Sequence, residues 1–235
     1  MNPLVAQVNT FLSLGIMLVE ALSIVALAVF LFARNTLWGQ KFIGVFGKWG
    51  VWMAFFVAFF SMTGSLFYSE VAHFEPCKLC WYQRIAMYPL VLLLALGIRF
   101  RDRMITWYAG ALAAVGALIA ANHYYLQVSG NSLLPCSAIG YSVSCSKQFV
   151  LKYGYITIPV MALSAFVFII IAMIIHHYWR TQQEVAFVEE VLGDVIADEI
   201  VEEFPADFYV APADIDILIN DEVSSDTLLS EEEAE

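Results

Sequence analysis

Five long apolar segments constrain the fold of this chain more than any other feature. A helix needs about 20 mostly apolar residues to cross the roughly 30 Å hydrocarbon core of a bilayer. The sequence is 61% hydrophobic, and its apolar segments cover residues 11–33, 51–68, 85–98, 104–128 and 155–179. The third is short and is predicted to borrow residues 81–83 to reach the membrane surface. Since helices are one of only two structures that satisfy their backbone groups in lipid, we predict an all-α membrane protein.

The Lys and Arg residues indicate how these segments cross the membrane, because cytoplasmic loops carry an excess of them. Seven of the 11 lie at one end of the predicted segments: Arg34, Lys41, Lys48, Arg99, Arg101, Arg103 and Arg180. This bias predicts that the N-terminus and the cysteine-containing loops are extracytoplasmic and that the C-terminal tail is cytoplasmic. No basic residue precedes the first apolar segment, which favours a retained span over a cleaved signal peptide.

The formal net charge of −11 conceals two regions of opposite sign. Residues 184–235 contain 18 of the 22 Asp and Glu residues and no Lys or Arg, so the rest of the chain has a net charge of +7. We predict an amphipathic helix over residues 184–204 and mostly disordered chain after Pro205. The acidic tail could dock onto the basic loops or onto a cytoplasmic partner. No basic cluster is long enough to predict nucleic-acid binding.

Four cysteines form two close pairs in polar segments between spans, Cys77 with Cys80 and Cys136 with Cys145. This arrangement suggests disulfides in an oxidising compartment. A disulfide within the first pair would close a loop too short to stabilise the fold much, and it suits reversible exchange. If the segment is helical, Arg84 shares a face with Cys77 and Cys80 and favours a thiolate there. The lipid boundary is also where a membrane quinone could meet these sulfurs.

Other interpretations of these residues remain open at this point. The first pair could be an ordinary structural disulfide, and the second could be a static staple of its loop rather than a relay. Both pairs together could bind zinc, but we expect no metal because exposed thiols on an oxidising face tend to be oxidised. His123, near the outer end of the fourth span, could contact a quinone oxygen or only be hydrogen-bonded at the membrane edge. Glu20, inside the first span, is either functional or packed between helices.

Three sequence motifs carry a resemblance to a known family. Residues 75–84 read Glu-Pro-Cys-Lys-Leu-Cys-Trp-Tyr-Gln-Arg, residues 123–127 read His-Tyr-Tyr-Leu-Gln, and Pro135 precedes Cys136. The first resembles the Pro-Cys-x-Leu-Cys-x-Tyr-x-Arg signature of the DsbB/BdbC family of bacterial disulfide-bond formation proteins. The second resembles the His-x-x-Leu-Gln of that family, and the short spacing of Cys136 and Cys145 is similar to the BdbC branch. The resemblance covers about residues 50–180.

The resemblance implies a DsbB-like four-helix transmembrane bundle at residues 50–180, in the bacterial cytoplasmic (inner) membrane. Residues 1–49 would add an extra N-terminal transmembrane helix and a cytoplasmic loop, and residues 181–235 would form the acidic cytoplasmic tail. The implied activity is that of a quinone-dependent protein-disulfide oxidoreductase. Its partner would be an extracytoplasmic DsbA/BdbD-like thiol oxidase of thioredoxin fold, and its cofactor a membrane quinone, either ubiquinone or menaquinone.

The resemblance also implies a role for each site residue. Cys136 would receive the attack of the partner's thiolate, and Cys145 would exchange with Cys77. Cys80 would face the quinone, and Arg84 would stabilise its charge. The predicted catalytic residues are therefore Cys77, Cys80, Cys136 and Cys145, and the predicted cofactor contacts are Arg84 and His123.

Two other classes of protein compete with this interpretation. A quinone-coupled epoxide reductase of the vitamin K type is also a bundle with a CxxC pair, but there the pair lies in the last core span. Here it lies between the first two core spans. A membrane scaffold with two structural disulfides and an interaction tail would bind no quinone, and its disulfides would resist mild reductant.

Overall fold

Five helices account for most of the described chain. The computed structural model describes residues 3–130, 144–146 and 148–203, with side chains through residue 193. The helices are α1 (Pro3–Ala28), α2 (Leu37–Glu70), α3 (Lys78–Phe100), α4 (Ile105–Ser129) and α5 (Ile158–Glu203). A π-helical turn, Val29–Ala33, extends α1. None of the described residues belongs to a β-strand, although Lys152 and Ile156 form an isolated bridge.

All five predicted spans are helices long and apolar enough to cross a membrane, which confirms the predicted all-α membrane protein. Most of the helices are clearly longer than the apolar segments. The second segment, residues 51–68, lies within the 34 residues of α2, which begin after Thr36. The Thr36 hydroxyl oxygen caps α2 by accepting the Gly39 N–H at 3.2 Å. The apolar segment is the part of the helix that contacts lipid. The helix itself continues into the polar boundary of the membrane, where residues such as Lys41 are solvated.

Small residues let the helices of the bundle approach closely. A Cβ atom placed on Gly116 of α4 would overlap the ring of Phe166 on α5. One placed on Gly50 of α2 would lie 3.1 Å from the carbonyl oxygen of Ala172 on α5. In lipid, helices associate by packing of this kind rather than by a hydrophobic driving force between them. Gly116 of α4 and Gly50 of α2 therefore each allow a close approach to α5.

The outer surface of the bundle is apolar. Large side chains with high exposure include Phe32 (87%), Leu118 (72%) and Trp107 (62%). Contiguous apolar surface on this scale is unusual for a soluble monomer and matches contact with lipid. The protein is therefore a multi-pass membrane protein, as predicted.

The chain divides into two compact units, residues 1–182 and 183–235. The first unit includes α1 together with the predicted bundle. The finer division at residues 49 and 180 stays a prediction. The helix predicted over residues 184–204 is the last part of α5, which ends at Glu203. The tail beyond residue 203 lies outside the described residues, and so does Cys136.

The predicted site residues that the structure describes lie at one end of the bundle. This end contains the end of α2, the start of α3, the end of α4 and the segment that leads into α5. Phe74 stacks on Phe149 there, with ring centroids 5.0 Å apart, and ties the segment after α2 to the segment before α5. The chain thus brings residues far apart in sequence to the first turn of α3.

Candidate dithiol active site

Cys77 occupies the N-cap position of α3. Its backbone is extended (φ −71°, ψ 172°), and its Sγ atom accepts the N–H of Cys80 at 3.4 Å. The preceding Pro76 disfavours helical backbone at the residue before it, so the helix begins after the proline. A helix N-terminus carries partial positive charge from its unpaired N–H groups, and this charge favours a thiolate. The local sequence therefore places a reactive sulfur at a position that activates it.

The two sulfurs of the CxxC pair form a close contact. Their Sγ atoms lie 3.1 Å apart, and both cysteines are free thiols in this structure. Cys77 is buried, with 3% of its surface exposed, whereas Cys80 is only partly buried. The two thiols therefore have different surroundings although only two residues separate them.

His123, near the end of α4, bridges the first cysteine pair and the segment of Cys145. Its Nε2 atom lies 3.7 Å from Cys77 Sγ and 3.1 Å from the backbone carbonyl oxygen of Cys145. The side-chain amide nitrogen of Gln83 lies 3.0 Å from Nδ1. Because an amide nitrogen can only donate, Nδ1 is the acceptor and Nε2 carries the proton in the neutral ring. The imidazole N–H is thereby directed at Cys77 and at the Cys145 carbonyl.

These contacts favour the thiolate at Cys77. The hydrogen bond from the Cys80 thiol makes the largest contribution to lowering the pKa of Cys77. Burial opposes this effect, and the hydrogen bond of His123 lowers the pKa of Cys77 further. Of the two thiols, Cys77 is therefore the one whose thiolate form is stabilised by its surroundings. The prediction that Cys80 faces a quinone as a thiolate stays a prediction.

Cys145 lies beside the first pair. It is disulfide-bonded and buried, with 2% of its surface exposed. It belongs to a small apolar cluster with Cys77, Leu79 and Leu126. One member of the second cysteine pair thus belongs to the same apolar cluster as Cys77.

A cavity of about 340 Å³ opens on the other side of Cys80. Its walls come from α1, α2, α3, α5 and the segments that flank α3 and α5, and they are mostly aliphatic and aromatic. Cys80 and Arg84 both line it, whereas Cys77 and His123 are not among its lining residues. The predicted quinone contact Arg84 thus lies at this cavity, and the predicted contact His123 lies against Cys77 instead.

Arg84 is fixed to the neighbouring helix. Its Nη2 atom donates to the backbone carbonyl oxygen of Ser65, at 2.9 Å, and to the hydroxyl of Ser69. Its guanidinium carbon also lies 5.4 Å from the centre of the Trp81 ring. A planar guanidinium held in this way keeps its positive charge at one position in the cavity wall.

Sequence reasoning missed two residues of the site. Gln83 orients His123, as described above. Tyr88 lines the cavity one helical turn beyond Arg84, and its buried hydroxyl has no hydrogen-bond partner in the part of the chain that the structure describes. The signal for Tyr88 was its i+4 spacing from Arg84, which puts both side chains on one face of α3.

The same sulfurs could also hold a metal ion. The Sγ atoms of Cys77 and Cys80 and a ring nitrogen of His123 lie within 4.8 Å of one another. Two thiolates and an imidazole with an open position are a known ligand set for zinc. The expectation of no metal stays a prediction, which metal analysis of the protein would test.

Comparisons with known proteins identify a family for this chain. The family model described as "Disulfide bond formation protein DsbB" matches residues 47–176, more than half of the chain. Disulfide bond formation protein C of Bacillus subtilis is 47% identical over 119 residues, which cover 50% of this chain and 84% of that protein. The SPbeta prophage-derived disulfide bond formation protein B of Bacillus subtilis is 41% identical over 117 residues, 50% of this chain and 78% of that protein.

A more distant relative covers a larger share of both chains. Probable disulfide formation protein C 1 of Bacillus anthracis is 37% identical over 131 residues, 56% of this chain and 89% of that protein. No solved structure matches the chain. The resemblance drawn from the cysteine motifs is confirmed: the chain belongs to the DsbB family of disulfide bond formation proteins and is a membrane disulfide oxidoreductase.

Proposed function

We propose that the protein reoxidises an extracytoplasmic thiol oxidase of thioredoxin fold, similar to DsbA or BdbD, and passes the electrons to a membrane quinone. One observation carries this proposal. Cys80 is in contact with Cys77 at 3.1 Å and also lines an apolar cavity bounded by membrane-spanning helices. A dithiol with one sulfur toward a protein disulfide and the other toward a lipid-accessible cavity can connect a protein partner with a lipid-soluble electron acceptor.

The cavity fits a quinone in size and chemistry. Its volume of about 340 Å³ lies in the roughly 300–1,000 Å³ range of small-molecule sites. The walls are mainly apolar, as a ring with an isoprenoid tail requires, and two polar groups of α3 are available to a ring oxygen. Arg84 supplies a charged donor, and Tyr88 supplies a buried hydroxyl that lacks a partner within the described chain. Ubiquinone and menaquinone both have the ring oxygens that this arrangement would recognise.

The outer half of the reaction transfers electrons from partner to dithiol. The partner's thiolate attacks Cys136 and forms a mixed disulfide, with Cys145 as the leaving thiolate. The partner's second thiolate attacks its own sulfur in that disulfide and releases Cys136, so the partner becomes oxidised. The Cys145 thiolate attacks Cys77 of the Cys77–Cys80 disulfide and expels Cys80. Attack of Cys136 on Cys145 then releases Cys77, which completes a two-electron transfer.

Cys77 and His123 assist the last of these steps. A thiol with a lowered pKa leaves a disulfide faster than an ordinary one. The pKa of Cys77 is lowered chiefly by its hydrogen bond with Cys80, and further by His123. The His123 N–H also reaches the Cys145 carbonyl oxygen at 3.1 Å, so this ring positions Cys145 and Cys77 for exchange. We therefore propose that His123 acts on the sulfur exchange rather than on the quinone.

The inner half of the reaction uses the cavity wall. A quinone bound there would accept two electrons and two protons from the dithiol, and Cys77 and Cys80 would return to the disulfide. Arg84, held by Ser65 and Ser69, would keep a positive charge beside Cys80 while that sulfur reacts. Because exchange between protein disulfides is nearly balanced in free energy, reduction of the quinone would supply the driving force.

This function sets the orientation of the protein. The cysteine end would face the outside of the bacterial cytoplasmic membrane, where the partner is found, and the end with Lys41 and Arg99 would face the cytoplasm. The acidic residues after 183 would then lie inside the cell, where they could bind a cytoplasmic partner.

The test is quinone reduction by the purified full chain in detergent, with a reduced thioredoxin-fold oxidase as electron donor. We expect turnover with a ubiquinone or menaquinone analogue and none in Cys80→Ser or Cys136→Ser. No turnover with either quinone, together with disulfides that resist mild reductant, would instead indicate a structural scaffold. If instead one equivalent of zinc copurifies with the protein, and is lost when both Cys77 and Cys80 are substituted, the two thiols form a metal site.

A further inference from the structure

Helix α1 lies outside the region that the DsbB family model matches and yet forms part of the cavity. The match begins at residue 47, within α2, whereas α1 ends at Ala28. Five residues of α1 line the same cavity as Cys80 and Arg84: Phe11, Leu12, Gly15, Ile16 and Val19. Their spacing places them on one face of the helix, on which Leu12, Ile16 and Val19 are partly buried and Phe11 and Gly15 are exposed. The extra helix is therefore a wall of the cavity.

Polar contacts hold α1 against the bundle. The carboxylate of Glu20 accepts a hydrogen bond from the Ser164 hydroxyl at 2.7 Å and another from the Tyr155 hydroxyl at 2.9 Å. Near the other end of the wall, Lys152 Nζ donates to Thr10 Oγ1 at 3.5 Å. We call the contacts of Glu20 with Ser164 and Tyr155 the Glu20 clasp.

The clasp explains how the Glu20 carboxylate can be tolerated within a membrane span. An ionisable group at such a position is costly unless it is paired, and both oxygens of Glu20 have a hydroxyl donor. One donor comes from α5 and the other from the segment just before it. The clasp thus joins α1 to α5, which also contributes residues to the cavity wall.

The wall contains one open position. A Cβ atom placed on Gly15 would meet no atom within 4 Å. On the facing helix, a Cβ atom placed on Gly64 would meet the Leu12 side chain at 3.5 Å, an ordinary van der Waals contact. The two helices are therefore close at Leu12 and leave space one turn later, at Gly15, inside the cavity.

We propose that α1 is a specificity-determining wall of the quinone site, in which Gly15 leaves room for the ring substituents and the Glu20 clasp holds the wall in register. This inference rests on the proposed function, since it assigns a wall to the cavity in which a quinone reacts. It makes Gly15 a specificity-determining residue and Glu20 a positioning residue. Neither one exchanges electrons.

The test compares two identical substitutions, Gly15→Leu and Gly110→Leu. Gly110 lies in α4, does not line the cavity, and also has no atom within 4 Å of an added Cβ. Leucine is a better helix former than glycine, so neither change weakens its helix. We expect Gly15→Leu to raise KM for a short-chain quinone about tenfold or more, because a filled pocket excludes its ligand. Gly110→Leu should have the KM of the unaltered protein.

Three further readouts distinguish a change in the cavity wall from a loss of folding or of thiol exchange. Single-turnover oxidation of the partner by the preoxidised protein should be equal in both variants, since it uses only the cysteines. Glu20→Ala should raise KM, and Glu20→Gln should restore it because an amide oxygen can accept one of the two hydroxyls. A photoreactive short-chain quinone should label residues 11–19 in the unaltered protein.

The outcomes distinguish this proposal from the proposed function. If the unaltered protein reduces no quinone, the proposed function fails. If it turns over but Gly15→Leu and Gly110→Leu have equal KM values, α1 is not a wall of the quinone site. Photolabel confined to α2 and α3 would overturn the proposal in the same way, without reliance on any variant. Unchanged KM in Glu20→Ala would overturn the positioning role of the clasp.

Discussion

The two sides of the dithiol differ in what they offer a reacting sulfur. On one side, Cys77 is buried against His123 and Cys145, and a helix N-terminus and an imidazole N–H favour its thiolate. On the other side, Cys80 borders a mainly apolar cavity whose polar lining includes Gln83, Arg84 and the Tyr88 hydroxyl, and this hydroxyl has no partner among the described residues. The first side suits exchange with a protein disulfide, and the second suits a small apolar acceptor.

This difference shows how one CxxC pair could take part in two kinds of reaction. The two cysteines are three positions apart in sequence, which is enough to place their sulfurs in separate surroundings while they remain 3.1 Å apart. Electrons need not travel through the protein, because the same bond can be formed and broken from either side. If the two sides are separate in function, substitutions on one side should leave reactions on the other side intact.

The largest effect should come from removing a sulfur on either side. We expect Cys80→Ser to abolish quinone reduction with the protein partner and with dithiothreitol. Cys145→Ser should abolish it with the protein partner but retain it with dithiothreitol, since a small dithiol can reduce Cys77–Cys80 directly. Stopped-flow absorbance of the quinone measures both rates. If Cys145→Ser lowers the rate of quinone reduction equally with the protein partner and with dithiothreitol, the two sides do not act separately.

A smaller effect is expected on the cavity side from Arg84→Met. Hydrogen bonds to charged groups are worth about 1.5–3 kcal/mol, so KM for quinone should rise roughly 10- to 100-fold. Single-turnover oxidation of the partner should not change. Arg99→Met, in the last turn of the same helix, is the matched control. A slower partner reaction in Arg84→Met would mean that this guanidinium also supports the exchange side.

On the exchange side, His123→Ala should raise the pKa of Cys77, because the mutation removes a hydrogen bond to this sulfur. The pH dependence of alkylation by iodoacetamide in the reduced protein measures this, with His177→Ala as control. In the unaltered protein, folding lowers this pKa. The reduced form therefore gains stability as pH rises from that lowered pKa to the ordinary value of about 8.5. It loses this stability as pH falls through the lowered pKa.

The pH-dependent part of that stability should shrink in His123→Ala, as measured by thermal unfolding of the reduced protein across the same pH range. KM for quinone should be unchanged, since His123 does not line the cavity. If His123→Ala raises KM for quinone and leaves the pH profile of alkylation unchanged, His123 contacts the quinone, as the sequence first suggested.

The smallest effect should come from Tyr88→Phe. An ordinary hydrogen bond contributes about 0.5–1.5 kcal/mol, so loss of this hydroxyl should raise KM for quinone roughly 2- to 10-fold. Tyr82→Phe, on the same helix but outside the cavity lining, is the control. If the two variants have equal KM values, the Tyr88 hydroxyl does not contact the quinone.

The sequence predicted the fold well because membrane spans follow from length and hydropathy alone. It predicted that Cys77, Cys80 and Arg84 lie near one another because their spacing is local to the start of one helix, and the structure brings Cys80 close to Cys77 and places Cys80 and Arg84 at one cavity. The position of α1 could not be predicted in this way. A span that is apolar on all sides does not reveal which face packs inward, so Gly15 and the partners of Glu20 emerged only in three dimensions.

His123 shows a second limit of sequence reasoning. Its place at the end of a span allowed either a quinone or a neighbouring side chain as partner. The choice depends on Gln83, which is 40 positions away in sequence and orients the ring through Nδ1. Pattern alone carries no information on such a contact between two helices, whereas the i+4 relation of Arg84 and Tyr88 is local and readable from the sequence.

The cap of α3 has a consequence for the motion of the protein during turnover. The atom that accepts the N–H of Cys80 at the start of this helix is Cys77 Sγ, a sulfur whose charge would change in each catalytic cycle. A thiolate accepts a hydrogen bond strongly, whereas a disulfide sulfur accepts weakly. The first turn of α3 should therefore tighten on reduction and fray on oxidation. Amide hydrogen exchange in that turn should be faster in the oxidised protein, so that the end of a helix reports the state of the bond beside it.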